Sequence, residues 1–229
     1  MKYQHIIFDL DHTLWDFNKS ATETLLELFT EYGLAHFDVT PTQFVETYLQ
    51  VNGELWKRYN YGEISQQMLR EIRFGQVFER MGLSKVQVPS QISQQYSERC
   101  PAKPYLIPHA LAILQYLQPR YPLHIITNGF SDIQQVKLRE SGILHFFEEV
   151  VTSCDAACKK PDKRIFEYLL EKLAADPVDC LMIGDNLATD IRGATNIAME
   201  AVYFNPSREV HEETTAYEIS CLSELQDIL

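Results

Sequence analysis

The 229 residues carry 20 lysines and arginines against 32 aspartates and glutamates, for a formal net charge of −12, and 45% of them are hydrophobic. That length allows one large domain, or a core of about 150 residues with a smaller insert, and the apolar content can fill an ordinary globular core. An acidic balance with no basic run argues against a nucleic-acid backbone or an anionic membrane as partner. No signal-peptide pattern opens the sequence, and no apolar stretch approaches membrane-spanning length. The cysteines, Cys100, Cys154, Cys158, Cys180 and Cys221, are odd in number and scattered, which suits reduced thiols and a cytoplasmic protein. Cys154-x3-Cys158 resembles half a metal site, but no second pair or histidine cluster completes it.

The first element is an apolar run, Ile6-Ile7-Phe8, that ends in Asp9-Leu10-Asp11. It reads as a strand whose carboxyl end presents two carboxylates on the same side. For about ninety residues the pattern is then helical. Ser20-Ala21-Thr22-Glu23 has capping-box spacing and Gly33 stops that helix. Thr40-Pro41 opens a second helix, with Gly53 as a potential break. A third covers Ser65 to Met81 and a weaker fourth runs from about Pro89 to Arg99. Pro101, Pro104 and Pro108 then mark a linker.

Beyond the linker, helices and strands alternate. Helices are expected at 109–117, 131–140, 162–173 and 188–197, with strands at 123–127, 150–152, 180–183 and 201–203. Such alternation predicts right-handed crossovers and a parallel sheet covered on both faces. The first strand belongs to that sheet, so the helical stretch is an insertion. The expected architecture is α/β, a doubly wound Rossmann-like core over 1–14 and 104–229 with an all-α helical bundle over 15–103.

Ligands of open α/β sheets bind outside the carboxyl ends of the strands, and further polar groups collect there. Thr127-Asn128-Gly129 offers a hydroxyl and a tight turn whose amides can face an anion. Lys159-Lys160-Pro161-Asp162 precedes a helix whose first residue is expected to be Pro161, a suitable place for phosphate. Gly184-Asp185 and Asp190 bring carboxylates that suit a divalent cation. Each signal has an ordinary structural counterpart: an acidic turn, a strand-to-helix turn, a surface lysine pair, a helix cap by Asp185. Their chemical complementarity at one sheet edge favours a site.

The order Asp9-x-Asp11-x-Thr13, Thr127-Asn128, Lys160-Pro161 and Gly184-Asp185-x4-Asp190 resembles the four motifs of the haloacid dehalogenase-like (HAD) hydrolase superfamily. The insert directly after the first motif resembles its helical C1 cap. Within that group, Trp15-Asp16-Phe17, Asn52-Gly53-Glu54-Leu55-Trp56, Thr127-Asn128-Gly129-Phe130 and Tyr217-Glu218-Ile219 are similar to the bacterial pyrimidine 5′-nucleotidases. The resemblance implies hydrolysis of a phosphate monoester, most specifically a nucleoside monophosphate, in the presence of Mg²⁺. Asp9 would be the nucleophile and Asp11 the general acid and base. Thr127 and Asn128 would bind phosphoryl oxygens, and Lys160 would balance charge. Asp9, the Asp11 carbonyl and Asp185 would hold the metal, with Asp190 supporting the metal shell or Lys160.

Other readings share part of this pattern. A phosphoglycolate or sugar-phosphate phosphatase would use the same machinery. A receiver-like phospho-acceptor module would place its aspartate after the third strand in about half this length, and a binding-only protein would not need the full residue set. The cap aromatics Trp15, Phe17, Trp56, Tyr59, Tyr61 and Phe74 are candidates for stacking on a base, or for packing. The chain is expected as a monomer or homodimer.

Overall fold

The computed structural model describes residues 2–83 and 88–229. Strand β1 (His5–Phe8) is followed by helices α1 (Phe17–Glu31), α2 (Pro41–Asn60), α3 (Gln66–Arg80) and α4 (Ile92–Arg99). Then come α5 (Ala110–Leu117), β2 (Leu123–Thr127), α6 (Ser131–Glu140), β3 (Phe147–Thr152), α7 (Lys163–Leu173) and β4 (Cys180–Gly184). A single wide π turn, Leu187–Ile191, runs into α8 (Arg192–Thr195), and β5 (Glu200–Phe204) and β6 (Tyr217–Ile219) end the sheet.

The six strands lie in the order β3-β2-β1-β4-β5-β6, and every pair is parallel. The chain moves outward from β1 to β2 and β3, then crosses to β4 on the other side. Strand β1 therefore lies at the point where the strand order reverses, where such sheets form a crevice. All residues of β2 and β4 are buried, as expected for strands covered on both faces. On one face, Ile7, Ile126, Val151, Met182 and Ala201 meet Ile165, Phe166 and Leu169 of α7.

The chain divides into two compact units, Met1–Phe17 with Pro104–Leu229, and Asn18–Lys103. The second is all helical. Its α2 buries Phe44, Tyr48, Val51 and Leu55 while α3 buries Leu69, Phe74, Val77 and Phe78. Thr40 Oγ1 accepts from Gln43 N–H and Ser65 Oγ from Met68 N–H, both at 3.1 Å, so both helix starts carry side-chain caps.

Several local expectations are corrected. Helix α1 begins at Phe17 rather than after Ser20. Ser20 is buried inside the helix and its carbonyl accepts from the Thr24 hydroxyl at 2.8 Å, so packing overrides the capping-box pattern. Gly53 does not break α2, because the buried Val51, Asn52 and Leu55 around it outweigh its poor helix propensity. Pro161 lies outside α7. The cap is Asp162, whose carboxylate accepts from Arg164 N–H at 3.0 Å, and the Lys160–Pro161 peptide is cis. The helix expected at 188–197 is a π turn followed by one α turn. It is capped by Asn186 and not by Asp185: Asn186 Oδ1 accepts from the Ala188 and Thr189 amides at 3.0 and 3.1 Å.

Helices α7 and α8 approach closely at Gly193, where an added Cβ would lie 2.5 Å from the Phe166 ring and 3.2 Å from the Pro161 Cα. Gly193→Ala is expected to destabilise the fold by about 1–3 kcal/mol through overpacking, read as a lower melting temperature. An unchanged melting temperature would show that Phe166 yields freely.

Candidate active site

The site is built from strand ends. Asp9 follows β1 and is fixed by its amide, which donates to the Ile183 carbonyl of β4 at 2.9 Å. Beside it lies the ammonium of Lys160, almost wholly buried. It donates to Asp9 Oδ1 at 2.5 Å and to the Ile126 carbonyl at 2.8 Å, and pairs with Asp190 Oδ1 at 2.7 Å. Three acceptors meet three N–H donors, which is what a buried ammonium requires.

Lys160 is itself held by Asn128, whose side-chain oxygen accepts from Lys160 N–H at 2.8 Å while its Nδ2 donates to the Lys160 carbonyl at 3.0 Å. The side chain expected to bind phosphate thus clamps the backbone of the lysine loop. Asp190 Oδ1 also accepts from the Thr189 hydroxyl at 3.2 Å, and its Oδ2 accepts from the Asn186 amide at 3.1 Å. It lies so close to the β4 terminus that a Cβ on Gly184 would come 2.3 Å from its Oδ2. Asp185 accepts from the Thr13 hydroxyl at 2.9 Å.

Asp9, Asp185 and Asp190 each offer a carboxylate oxygen within 4.8 Å of the others. Burial pushes the Asp9 carboxyl up to about 7, with Lys160 opposing and the charges of Asp190 and Asp11 adding. Burial, with the charges of Asp9 and Asp190, also pushes Asp185 well above the ordinary carboxylate range against Thr13 and Lys160. Burial lowers the Lys160 ammonium, but Asp190 and Asp9 outweigh it and its pKa lies above the usual value. One lysine facing several carboxylates leaves excess negative charge, and hard oxygen donors suit a divalent cation of the Mg²⁺ type. With Asp190 engaged by Lys160 and Asn186, the carboxylates that fit this role are Asp9 and Asp185. Among the described residues, neither Cys154 nor Cys158 belongs to a group able to hold a metal.

Asp11 occupies a different environment. Its carboxylate pairs with Lys137 at 2.5 Å and accepts from Gln134 Nε2 at 2.9 Å, both from α6. Burial raises its pKa, but the Lys137 charge and the two hydrogen bonds outweigh burial and leave it below the usual value. Gln134 Nε2 also donates to Thr127 Oγ1 at 3.2 Å, and Gly129 N–H donates to the same oxygen at 3.0 Å. With two donors facing its oxygen, the Thr127 hydroxyl has its proton to give. His12 makes the turn between Asp11 and Trp15 in the left-handed region, at φ 65°.

All the residues expected from sequence lie at one sheet edge: Asp9, Lys160, Asp185 and Asp190 form the inner group, with Asp11 and Thr127 joined through Gln134. Gln134 and Lys137 were not anticipated, although their i, i+3 spacing places them on one helix face with Leu138. Of the aromatic candidates, Trp15, Tyr59 and Phe74 are buried in packing, while Tyr61 is exposed.

Residues 3–197 match the family model of haloacid dehalogenase-like hydrolases. The chain is 32% identical over its whole length to the pyrimidine 5′-nucleotidase PynA of Streptococcus pneumoniae, covering 96% of that protein. It is 31% identical, again over its whole length, to the pyrimidine 5′-nucleotidase YjjG of Escherichia coli, covering 99%. YfnB of Bacillus subtilis, in a crystal structure with bound magnesium, superposes with a TM-score of 0.87 at 28% identity, with 100% of this chain and 99% of that one covered. Full-length agreement of this kind, on a sheet whose reversal point gathers Asp9, Lys160 and Asp185, places the chain among the haloacid dehalogenase-like hydrolases, as a phosphatase.

Proposed function

We propose that the chain hydrolyses pyrimidine nucleoside 5′-monophosphates by way of a phosphoryl group carried on Asp9, with Mg²⁺ as cofactor. The observation that carries the mechanism is the pairing of Asp9 with Lys160 beside Asp185. The substrate class rests on the two nucleotidases to which the chain is similar along its length. Asp9, Asp185 and the Asp11 carbonyl would hold Mg²⁺, which would supply positive charge against the incoming phosphate dianion.

The remaining steps fall to the chain. Lys160 occupies Asp9 Oδ1, so Oδ2 is the oxygen that attacks phosphorus. Thr127 donates its hydroxyl to a phosphoryl oxygen, and Asn128 acts by fixing the backbone of Lys160. Asp11, held as an anion in the resting chain, takes up a proton as the phosphate dianion arrives beside it. As the P–O ester bond breaks it gives that proton to the departing nucleoside oxygen, which leaves as an alcohol. Asp11 then takes a proton from water, the hydroxide attacks the aspartyl-phosphate, and Asp9 is regenerated with release of phosphate. The helical unit, inserted after the strand that carries Asp9, is the part of the chain we assign to substrate selection.

Phosphate release from a panel of monoesters tests the reading. With Mg²⁺, dUMP, dTMP and UMP are expected to turn over faster than purine nucleotides, phosphoglycolate and hexose phosphates. A preference for phosphoglycolate or a hexose phosphate would keep the mechanism and overturn the substrate. Asp9→Asn is expected to lower kcat by about 10³ or more, and near-normal turnover would exclude the covalent route.

The carboxylates also predict a linkage. An aspartate in the unfolded chain titrates near about 3.9, whereas Asp9 lies at about 7 and Asp185 well above the ordinary range. The folded, metal-free chain thus holds protons that the unfolded chain has lost. The resulting stability is full at acid pH and is lost as pH rises through about 7. A cation on Asp9 and Asp185 competes with those protons and offsets their repulsion. Mg²⁺ is therefore expected to raise the melting temperature more at about pH 8 than at about pH 6. An equal rise at both would contradict the assignment.

A further inference from the structure

The face of α6 that carries Gln134 and Lys137 has no part in the mechanism above, yet it holds both carboxylate oxygens of Asp11. Lys137 is 6% exposed and Gln134 1% exposed, whereas the Asp11 side chain is 25% exposed. The carboxylate is thus partly exposed, while the groups that hold it are buried. Lys137 Nζ takes Oδ1 at 2.5 Å and Gln134 Nε2 takes Oδ2 at 2.9 Å, one oxygen each. Lys137 is seated on the ring of buried Trp15, 4.5 Å from its centroid. The Trp15 main chain is held in turn by its amide, which donates to the Leu10 carbonyl at 2.8 Å. Gln134 also reaches Thr127 Oγ1. Gly129 makes room for this, since a Cβ there would lie 1.4 Å from Gln134 Nε2.

We propose that Gln134 and Lys137 are positioning residues that fix the direction of the Asp11 carboxyl group and tie it to the Thr127 hydroxyl. The inference rests on the assignment of Asp11 as the group that protonates the leaving oxygen. Two donors on two different carboxylate oxygens fix both the rotation and the tilt of the group, which one donor cannot do. A carboxylate held in this way reaches the ester oxygen of a phosphate bound at Thr127 without first searching rotamers. Lys137 thereby differs from Lys160: both are buried lysines beside an aspartate, but Lys160 serves the attacking end and Lys137 the departing end of the reaction.

Dependence on the leaving group tests the proposal, because an aryl ester with an acidic phenol departs without a proton and an alkyl ester does not. The ratio of kcat/KM for p-nitrophenyl phosphate to that for dUMP is measured in the Mg²⁺-loaded full chain. Asp11→Asn, Lys137→Met, Gln134→Leu and Lys137→Arg are compared with the unaltered protein. Lys137→Met and Gln134→Leu are each expected to lose about tenfold or more on dUMP and about threefold or less on the aryl ester, with partial recovery in Lys137→Arg. In the Asp11→Asn background, Lys137→Met is expected to cost almost nothing further, since both act through one group. A crystal structure of Lys137→Met is expected to show the Asp11 carboxylate turned from its present direction.

Equal losses on the two esters, a ratio that moves toward dUMP, additive losses in the double variant, or an unmoved Asp11 would each overturn the proposal. If Lys137→Met fails to fold, the ratio in Gln134→Leu decides alone. Should Asp11→Asn itself leave the ratio unchanged, the assignment of Asp11 as acid falls and the proposal falls with it. That outcome differs from one in which Asp11→Asn shifts the ratio and the α6 variants do not.

Discussion

The buried ammonium of Lys160 is the interaction on which the site depends. It joins Asp9 after β1, the Ile126 carbonyl of β2 and Asp190 beyond β4, so one cation ties together three strands that are distant in sequence. A lone buried charge is costly, and removing one member of such a group leaves the others uncompensated. The surrounding residues therefore serve Lys160 first. Asn128 gives it both ends of an amide, Gly184 leaves room for Asp190, and Asn186 caps the turn that brings Asp190 back toward the sheet.

The two aspartates of Asp9-Leu10-Asp11 show how one dipeptide spacing can supply two chemistries. Asp9 is turned into the sheet edge beside other carboxylates, and burial pushes its carboxyl up. Asp11 is partly exposed and is stabilised as an anion by α6. In the metal-free chain these shifts run opposite to those of an acid and nucleophile pair, in which the acid carries the raised value. A cation on Asp9 would lower its carboxyl, and a phosphate dianion beside Asp11 would raise that one. Here the division comes from the neighbours, since the residue type is the same.

The parallel α/β core was legible because its strands are continuous apolar runs, such as Leu123–Thr127 and Cys180–Gly184, and the helical unit was legible because α2 and α3 begin at recognisable caps, Thr40 and Ser65. The three-residue β6 was not legible as a strand, being too short to show a period. The start of α1 was misplaced because Ser20 has the spacing of a cap but is drawn into the helix interior by burial. The turn after β4 could not be read as a π turn, since the one wide turn depends on where Asp190 must reach.

The sequence by itself determined the chemistry available: which strand ends bear carboxylates, a hydroxyl and a lysine, and that a helical stretch interrupts the core after β1. Those properties are local, written in apolar runs, turn residues and side-chain type. Only the tertiary structure decided how the groups divide their work. Asn128 serves the Lys160 backbone, Asp190 serves its ammonium, and Gln134 and Lys137 belong to Asp11. These pairings span up to 126 residues in the case of Lys137 and Asp11. They follow from sheet register and helix crossing, which no local pattern encodes.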